Sequence, residues 1–373
     1  MSTETVELKG CIQCGRCSGG CPVSIKSSLN PRKLVYYSLN ELERSMSAEE
    51  LGLWECTTCT TCTERCPKAV RPADLVVELR SRIIESGRMT PQIQGALEST
   101  YVQGNPWGRA REKRMEWAAG LDVPILKPGG HTDVLLFVCC TNAYDPRCQP
   151  TARALVQLLR AAKVDFGLIG EEETCCSSEQ RKIGELGMFD ELAQSNTKMI
   201  MDRDPVRVVT TSPHSMNAFK QEYPDLKVTV IHYTQLLAEL LESKKLKVVR
   251  PLEEVVTYHD PCYLGKQNKV FEEPRQILTA IAGDRFVELD RSRETSLCCE
   301  GGGGRMWIES AGKGRLAETR VTDALDLSAT ILATACPFCT LTLEDAVKTT
   351  NSESRIRIKD LAELLLEATQ PAA

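Results

Sequence analysis

Two cysteine runs near the start of the chain constrain its fold more than any other feature. The runs are "CIQCGRCSGGCP", which begins at Cys11, and "CTTCTTCTERCP", which begins at Cys56, and both have the spacing C-x2-C-x2-C-x3-C-P. This spacing is typical of bacterial-type iron–sulfur proteins, in which three thiolates of a run wrap one face of a 4Fe–4S cluster and the fourth binds the other cluster. We therefore expect this end of the chain to fold around two metal clusters.

The expected ligand sets cross between the two runs. Each cluster would take three thiols from one run and the fourth, which the following proline directs away, from the other run. The first set is Cys11, Cys14, Cys17 and Cys66, and the second set is Cys56, Cys59, Cys62 and Cys21. The alternative is a pair of zinc sites or free buried thiols, which two identical four-cysteine runs disfavour.

The residues around the runs have the pattern of helices. The segment "NPRKLVYYSLNELERSMSAEELGLWE", from Asn30 to Glu55, and the segment "DLVVELRSRIIESG", closed by Gly87, combine helical periodicity with good helix formers. They predict an all-helical ferredoxin-like domain over residues 1–88. The more loosely patterned residues 89–130 are predicted to be a linker.

Length and composition limit the rest of the chain. The 373 residues suggest roughly two or three domains, and 18 cysteines without a signal-peptide pattern favour metal ligation in a reducing cytoplasm over disulfides. A net charge of −5 argues against nucleic acid as a partner, and no apolar run is long enough to span a bilayer. We therefore expect a cytoplasmic protein without a transmembrane segment of its own.

From His131 onward the sequence repeats itself. The intervals between the marker residues are 35, 1, 36 and 3 in the first copy and 36, 1, 37 and 3 in the second. The markers are Cys140, Cys175, Cys176, Ser212 and Ser215 in the first copy and Cys262, Cys298, Cys299, Cys336 and Cys339 in the second. Because strand-like and helix-like stretches alternate between them, we predict two α/β units with parallel sheets, over residues 131–248 and 249–373.

The five thiols of the second copy are candidate ligands of one metal site. We expect Asp260 to cap a helix that begins at Pro261, next to Cys262, and Pro337 to open another helix next to Cys336. A helix N-terminus favours negative charge and therefore stabilises a thiolate.

A glycine run follows the cysteine pair of the second copy. Without side chains, residues 301–304 would let the backbone approach a metal cluster and direct N–H groups at its sulfides. A phosphate-binding loop would need the Lys and Ser/Thr residues that do not follow this run. The preceding thiols therefore favour a cluster site.

The first copy carries Ser212 and Ser215 where the second copy has its last two thiols. A serine hydroxyl is a poor ligand for a soft metal, because its pKa is far higher than that of a thiol. The preferred interpretation is a vestigial site that only packs against the second copy. The alternative is a zinc site formed by Cys140, Cys175, Cys176 and His214.

The motifs "YHDPCYLGKQN", "LCCEGGGGRMW" and "TACPFC" resemble those of the D-type heterodisulfide reductase family, and the resemblance covers nearly the whole chain. Members of that family look like fusions of a C-type ferredoxin module and a B-type module with duplicated cysteine-rich (CCG) domains. The resemblance implies an α+β multidomain fold, with an all-helical ferredoxin-like domain followed by two tandem α/β CCG units. Glu300 departs from the family pattern, which usually has another glycine there.

The resemblance also implies the cofactors and partners. Two cubane 4Fe–4S clusters would occupy the N-terminal module, and the five thiols of the second copy would hold one noncubane 4Fe–4S cluster. Related reductases cleave their disulfide between two noncubane clusters, so a chain with one such cluster should be poor at that reaction. The implied partners are other redox subunits, such as a flavoprotein or a heterodisulfide reductase A-like subunit.

Three functions remain open at this point. The leading hypothesis is an iron–sulfur electron-transfer subunit of a cytoplasmic anaerobic redox complex of heterodisulfide reductase type, because the sequence has no dinucleotide or flavin fingerprint. The second is a thiol/disulfide reductase that acts on a small thiol or disulfide at the C-terminal cluster, with His259, Lys266 and Arg305 donating a proton or holding an anion. The third is a metal-stabilised scaffold. Besides these three, the resemblance allows the iron–sulfur subunit of a lactate- or glycolate-type dehydrogenase.

Overall fold

The computed structural model describes residues 7–308 and 314–370, so the predicted domain limits at residues 1 and 373 lie outside it. The helices are α1 (Arg16–Gly20), α2 (Pro31–Leu39), α3 (Thr61–Glu64), α4 (Pro72–Glu85), α5 (Pro91–Gln103), α6 (Cys140–Tyr144), α7 (Gln149–Ala161), α8 (Ser178–Ile183), α9 (Leu186–Met201), α10 (Pro213–Asn217), α11 (Tyr233–Glu242), α12 (Glu272–Ala282), α13 (Leu316–Asp326), α14 (Pro337–Thr349) and α15 (Leu361–Thr369). The strands are β1 (Thr132–Phe137), β2 (Phe166–Gly167), β3 (Pro205–Thr210), β4 (Thr229–His232), β5 (Val256–Tyr258), β6 (Ile331–Thr334) and β7 (Arg357–Asp360).

The helices α1 to α5 precede the sheets. The prediction of a helix near Gly87 is confirmed, since α4 ends at Glu85 and Gly87 adopts a φ of 72° that suits glycine. The helical pattern from residue 30 to residue 55 forms an α-helix only over its first part. Helix α2 ends at Leu39, and Glu41, with a φ of 58°, turns the chain into two short 3-10 turns.

The first repeat forms a four-stranded parallel sheet with the order β2-β1-β3-β4. The second repeat forms a parallel sheet with the order β5-β6-β7. Val256 of β5 also makes an isolated parallel bridge to Phe286, as Val134 of β1 pairs with Phe166 of β2. The two sheets therefore share one strand order, and the predicted parallel α/β duplication is confirmed.

One hydrophobic core spans both repeats. Helix α7 of the first repeat packs against α15 of the second, and α11 packs against α12. Their apolar faces are buried, as at Leu155 and Leu278. Each such side chain contributes about 1.5–3 kcal/mol when it is fully buried. The repeats are therefore one packed body rather than two independent units.

Asp260 does not cap a helix, and this prediction is wrong. Residues 262–268, which follow it closely, form successive turns rather than an α-helix. The carboxylate of Asp260 is engaged elsewhere, because it accepts two hydrogen bonds from Arg275, at 2.8 and 2.9 Å. The corresponding prediction at Pro337 is confirmed, since α14 begins there with Cys336 as its N-cap.

Arg80 ties the N-terminal helices to both repeats. Its buried guanidinium donates to the carbonyls of Leu53 and Cys56, to Lys182 of the first repeat and to Gly303 of the second. Charge-assisted hydrogen bonds of this kind are stronger than neutral ones. In the described part of the chain, no helix combines the length and apolarity that a membrane crossing needs.

Candidate metal centres

The eight N-terminal cysteines lie around two pockets. Cys11, Cys14 and Cys17 line the first pocket together with Cys66 of the other run, in a cavity of about 370 Å³. Cys56, Cys59 and Cys62 line the second, of about 390 Å³, together with Cys21. The structure therefore brings together the two crossed sets that the spacing predicts.

Both runs use the same backbone path to wrap their pockets. Gln13 and Gly15 have positive φ values of 54° and 79° in the first run, and Thr58 and Thr60 have 50° and 58° at the equivalent places. A β-branched threonine is rarely found in this conformation, which therefore stores strain in the second loop. Such strain persists only where the surrounding structure demands the conformation.

The spacing of these thiols distinguishes a cluster from a single ion. Two ligands of one zinc ion lie at most about 4.6 Å apart, because each Zn–S bond is about 2.3 Å long. Among the described residues, the one trio of potential ligands whose atoms all lie within 4.8 Å of one another is His259, Cys299 and Cys339. No three of the described N-terminal thiols meet that limit, which fits a multi-atom cluster better than a single zinc ion.

Burial raises the pKa of thiols that line the second pocket. It raises the pKa of Cys56 to about 12, and it also raises the pKa of Cys21. Such thiols stay protonated without a metal and release the proton when a metal binds.

The five thiols of the second repeat converge at the carboxyl ends of its strands. Cys262 follows β5, Cys336 follows β6, and the Cys298–Cys299 pair comes from the intervening loop. The sulfur atoms of Cys299 and Cys339 lie 3.2 Å apart, and all five side chains are buried. The convergence predicted from the sequence is therefore present.

Two of these thiols are poised to ionise. Hydrogen bonds from Cys298 and Cys339 lower the pKa of Cys299 well below its usual value. Although burial alone would raise the pKa of Cys336, hydrogen bonds from Cys339 and His214 bring it to about 5. The site therefore has the electron-rich character that a soft metal prefers.

The second N-terminal pocket adjoins this site. The Cys59 thiol interacts with the Cys298 thiol, and the Cys298 sulfur lies 3.4 Å from the Thr57 hydroxyl. The buried ammonium of Lys266 spans the junction, donating to Thr61 at 2.9 Å and to the carbonyl of Ser296 at 2.6 Å. Two candidate metal centres are therefore in direct side-chain contact.

The glycine run makes this close approach feasible. A Cβ atom at Gly303 would lie 2.5 Å from the carbonyl oxygen of Cys56, and one at Gly302 would lie 2.9 Å from that of Thr57. Contacts this short are not tolerated, so any other residue would push the two centres apart. The absent side chains thus make room for the N-terminal loop.

The three marker thiols of the first repeat, Cys140, Cys175 and Cys176, interact with one another and with other polar groups. A hydrogen bond from Cys175, helped by the charge of Arg114, lowers the pKa of Cys140 to about 6 against the effect of burial. Ser215 donates a hydrogen bond to the Cys176 sulfur at 3.2 Å, and Ser212 caps α10 by accepting from the N–H of His214 at 3.2 Å. The serines thus serve local hydrogen bonds.

His214 is directed to the second repeat. Its Nδ1 lies 2.9 Å from Glu179, its ring stacks on Tyr263 at 4.0 Å, and it interacts with the Cys336 thiol. Glu179 also accepts from the N–H of Gly304 at 2.7 Å. This arrangement does not favour the zinc alternative, which needs His214 beside the thiols of its own repeat.

The three polar residues singled out near the second site have different positions. Arg305 forms an ion pair with Glu55 at 3.0 Å, and Lys266 occupies the junction described above. His259 is buried among the thiols, and burial lowers its pKa to about 3, so that its ring is neutral. Of these three residues, His259 offers a ring nitrogen within 4.8 Å of the sulfur atoms of Cys299 and Cys339.

Sequence reasoning missed the buried charges around the thiols. Arg114 pairs with Glu173 and donates to Cys140 at 3.5 Å, and Glu179 holds His214. Arg114 lies in the basic stretch "RAREKRMEW", which resembles a solvated helix flank. No spacing rule distinguishes one buried arginine among its exposed neighbours.

Two family models match the chain. One, described as a 4Fe-4S dicluster domain, matches residues 7–70, and the other, described as a cysteine-rich domain, matches residues 134–220 and 256–344. The first range contains both cysteine runs, and the other two contain the markers of the two repeats.

Curated relatives resemble nearly the whole chain. It is 32% identical to the "Probable iron-sulfur-binding oxidoreductase FadF" of Bacillus subtilis, covering 98% of this chain and 60% of that protein. It is 30% identical to the "EtfAB:quinone oxidoreductase" of Syntrophomonas wolfei, covering 98% and 59%. It is 31% identical to the D-type subunit of the dihydromethanophenazine:CoB–CoM heterodisulfide reductase of Methanosarcina barkeri, covering 98% and 95%. The chain thus spans about three fifths of the first two relatives and nearly all of the third.

A solved structure of a hypothetical protein from Helicobacter pylori has a TM-score of 0.54 at 8% identity, covering 93% of this chain and 69% of that one. At this identity the likeness concerns the fold alone.

Proposed function

Because the chain belongs to the D-type heterodisulfide reductase family, we propose that it is an iron–sulfur electron-transfer subunit of a cytoplasmic anaerobic redox complex. Iron–sulfur clusters held by its cysteines would supply one-electron redox chemistry. The chain itself arranges the cysteines in a series of sites. The series begins at the first pocket, where Cys14 is exposed to solvent, and ends at the second repeat, where the thiols are buried.

The proposed ligand sets follow the two pockets and the second repeat. Two cubanes would be held by the crossed N-terminal sets, and one noncubane cluster by Cys262, Cys298, Cys299, Cys336 and Cys339. The proposed units are a helical ferredoxin-like domain over residues 1–88, a linker over 89–130, a degenerate CCG domain over 131–248 and a cluster-binding CCG domain over 249–373.

The observation that carries this proposal is the direct contact between the second N-terminal pocket and the second repeat. Cys59 interacts with Cys298 across the junction, and glycines at 302 and 303 allow the approach. Electron transfer slows steeply with distance, so adjoining ligand sets favour a relay. The arrangement supports a path that runs between the first pocket, the second pocket and the second repeat.

Burial favours a relay over the thiol/disulfide reductase alternative. A reductase needs a substrate to reach the second-repeat site, whereas a relay needs these thiols to be shielded from water. Cys336 is only 1% exposed, and its thiol interacts with His214, whose ring stacks on Tyr263 and lies tilted against Phe338. The resemblance to an EtfAB:quinone oxidoreductase and to a heterodisulfide reductase subunit supports a partner redox subunit, such as a flavoprotein or a heterodisulfide reductase A-like subunit.

Anaerobic purification followed by iron and sulfide analysis tests the cluster content. The proposal predicts about twelve irons per chain, four in each of three clusters. A value near about sixteen would show that the first repeat is loaded, and a value near about eight would show that the second repeat is empty.

A turnover assay separates the two functions. The isolated chain is given a small disulfide and an artificial electron donor, and disulfide reduction is followed beside reduction of the bound clusters. If the chain is a relay, the artificial donor reduces its clusters, but the disulfide is not turned over until partner subunits are added. Rapid turnover by the isolated chain would establish the reductase instead.

A further inference from the structure

His259 is a buried histidine whose ring has no hydrogen-bond partner. It follows β5 and is 1% exposed, and neither Nδ1 nor Nε2 has a partner in the described part of the chain. Its backbone holds the loop by itself, since its N–H donates to the carbonyl of Ala333 at 2.8 Å. The imidazole is therefore not needed to fix the loop, and its two polar atoms are left without a role in the packing.

Buried polar atoms without partners are uncommon and need an explanation. The nearest carboxylate does not supply one, because Asp260 is bound by Arg275 and accepts from the N–H of Arg293 at 2.8 Å. A group that binds at this site in the loaded protein would satisfy the ring. The surroundings of the ring indicate which kind of group that is.

A ring nitrogen of His259 and the sulfur atoms of Cys299 and Cys339 all lie within 4.8 Å of one another. Ligands of one transition-metal ion lie at this separation or closer, since metal–sulfur and metal–nitrogen bonds of about 2.3 and 2.1 Å sum to about 4.4 Å. Imidazole suits iron as a ligand, and histidine replaces cysteine in some iron–sulfur centres.

The first repeat provides an internal comparison. Val134 and Val256 occupy equivalent positions in β1 and β5, which aligns His259 with Phe137. Phe137 packs edge-on against Phe219, with ring centroids 4.7 Å apart. The repeat that has lost its last two thiols thus has a hydrocarbon ring where the repeat that keeps all five has an imidazole.

We propose that His259 is a nitrogen ligand of the C-terminal metal centre and shares one iron with Cys299 and Cys339. This rests on the proposed function only in requiring that the second repeat binds iron. A neutral imidazole adds no negative charge to the centre, so its presence raises the reduction potential relative to an all-thiolate ligand set.

Pulsed EPR on the full chain labelled with 15N-histidine tests the proposal. The chain has only four histidines, so assignment needs few variants. The wild-type protein should show the strong nitrogen hyperfine coupling of a directly bound imidazole. The coupling should disappear in His259→Phe, which copies the first repeat, and persist in the control His232→Asn, whose imidazole is buried against Thr234.

A potentiometric titration provides a second measurement. His259→Cys would replace a neutral ligand by a thiolate, so the midpoint potential of the C-terminal centre should fall while those of the N-terminal centres stay constant. If His259→Phe does not fold, His214→Asn assigns the wild-type coupling, because His214 is the other imidazole beside a second-repeat thiol. A strong coupling that persists in His214→Asn supports ligation by His259, and one that disappears overturns it.

The two proposals fail in different ways. Full iron content of about twelve with only the weak coupling of an unbound nitrogen would overturn ligation by His259 and leave the electron-transfer proposal intact. Iron content near about eight would mean that the second repeat is empty, and both proposals would then be wrong.

Discussion

Replacing Ser212 and Ser215 by alanine should cost stability and leave iron content unchanged. Ser212 caps α10 through the N–H of His214, and loss of such a cap typically costs about 1 kcal/mol. Ser215 donates to the buried sulfur of Cys176 at 3.2 Å, and loss of a hydrogen bond of this kind costs about 1 kcal/mol. The two changes should therefore lower the free energy of unfolding by about 2 kcal/mol.

This loss corresponds to a small shift in melting temperature. With an unfolding entropy of about 2.1 cal/mol/K per residue, a chain of 373 residues that unfolds as one unit has about 0.8 kcal/mol/K. A change of about 2 kcal/mol therefore lowers Tm by roughly 2–3 °C. The shift is measured by anaerobic calorimetry on the loaded protein.

The matched comparison is Cys336→Ser or Cys339→Ser in the second repeat. These variants place the same hydroxyl at equivalent positions, but here it replaces a soft ligand by a hard and poorly ionised one. The iron content should fall from about twelve to about eight per chain, while the spectra of both N-terminal clusters remain.

The result that refutes this reasoning is loss of iron from the double alanine variant. If Ser212→Ala with Ser215→Ala removed iron, or stopped electron transfer as fully as the cysteine variants, the serines would be ligands. The first repeat would then hold a working centre, and the vestigial interpretation would be wrong.

Three further predictions follow from single residues. Cys21→Ser should damage the cluster held by Cys56, Cys59 and Cys62, and site-resolved Mössbauer or EPR spectra that lose only the other cluster would exclude the crossed pairing. His232 has a pKa of about 3 in the folded chain because it is buried, against about 6.5 when unfolded. The unfolded chain therefore takes up the proton first as the pH falls, and stability is lost below about pH 6.5. Between about pH 7.5 and 5.5 this costs about 1.4 kcal/mol in urea unfolding, and His232→Asn should lack that part of the loss. Arg80→Met should lower the free energy of unfolding by about 3–5 kcal/mol, because four buried carbonyls lose their donor; a change below about 1 kcal/mol would show that they find other partners.

Local patterns in the sequence are sufficient to predict the fold and the site where residue spacing alone determines the structure. The four matching intervals predict the duplication, and both repeats have parallel sheets with the same strand order. The two cysteine runs predict crossed sets, and each of the two pockets is lined by one set. In these cases the contacts that determine the structure are made by residues a few positions apart in the sequence, or the same sequence pattern occurs twice.

Local patterns fail where a distant residue decides the structure. Asp260 has the sequence context of a helix cap, but Arg275 binds its carboxylate. In the segment from residue 30 to residue 55, which has helical periodicity, the α-helix ends at Leu39, although good helix formers continue beyond it. His214 belongs by sequence to the first repeat and by contact to the second. Helix propensity and capping are weak compared with a buried ion pair or a tertiary turn, so tertiary contacts decide these places.

The contacts of His214 explain why the chain keeps a repeat that lacks two of its thiols. His214 stands between the serines of "SPHS", where Ser212 caps its helix and Glu179 binds its Nδ1. The same Glu179 accepts from the N–H of Gly304, in the glycine run that lets the second N-terminal pocket approach Cys298. Removing the first repeat would therefore remove a wall of the second-repeat site and a support of the junction. We infer that the first repeat lost two of its own ligands but was retained because it positions those of its neighbour.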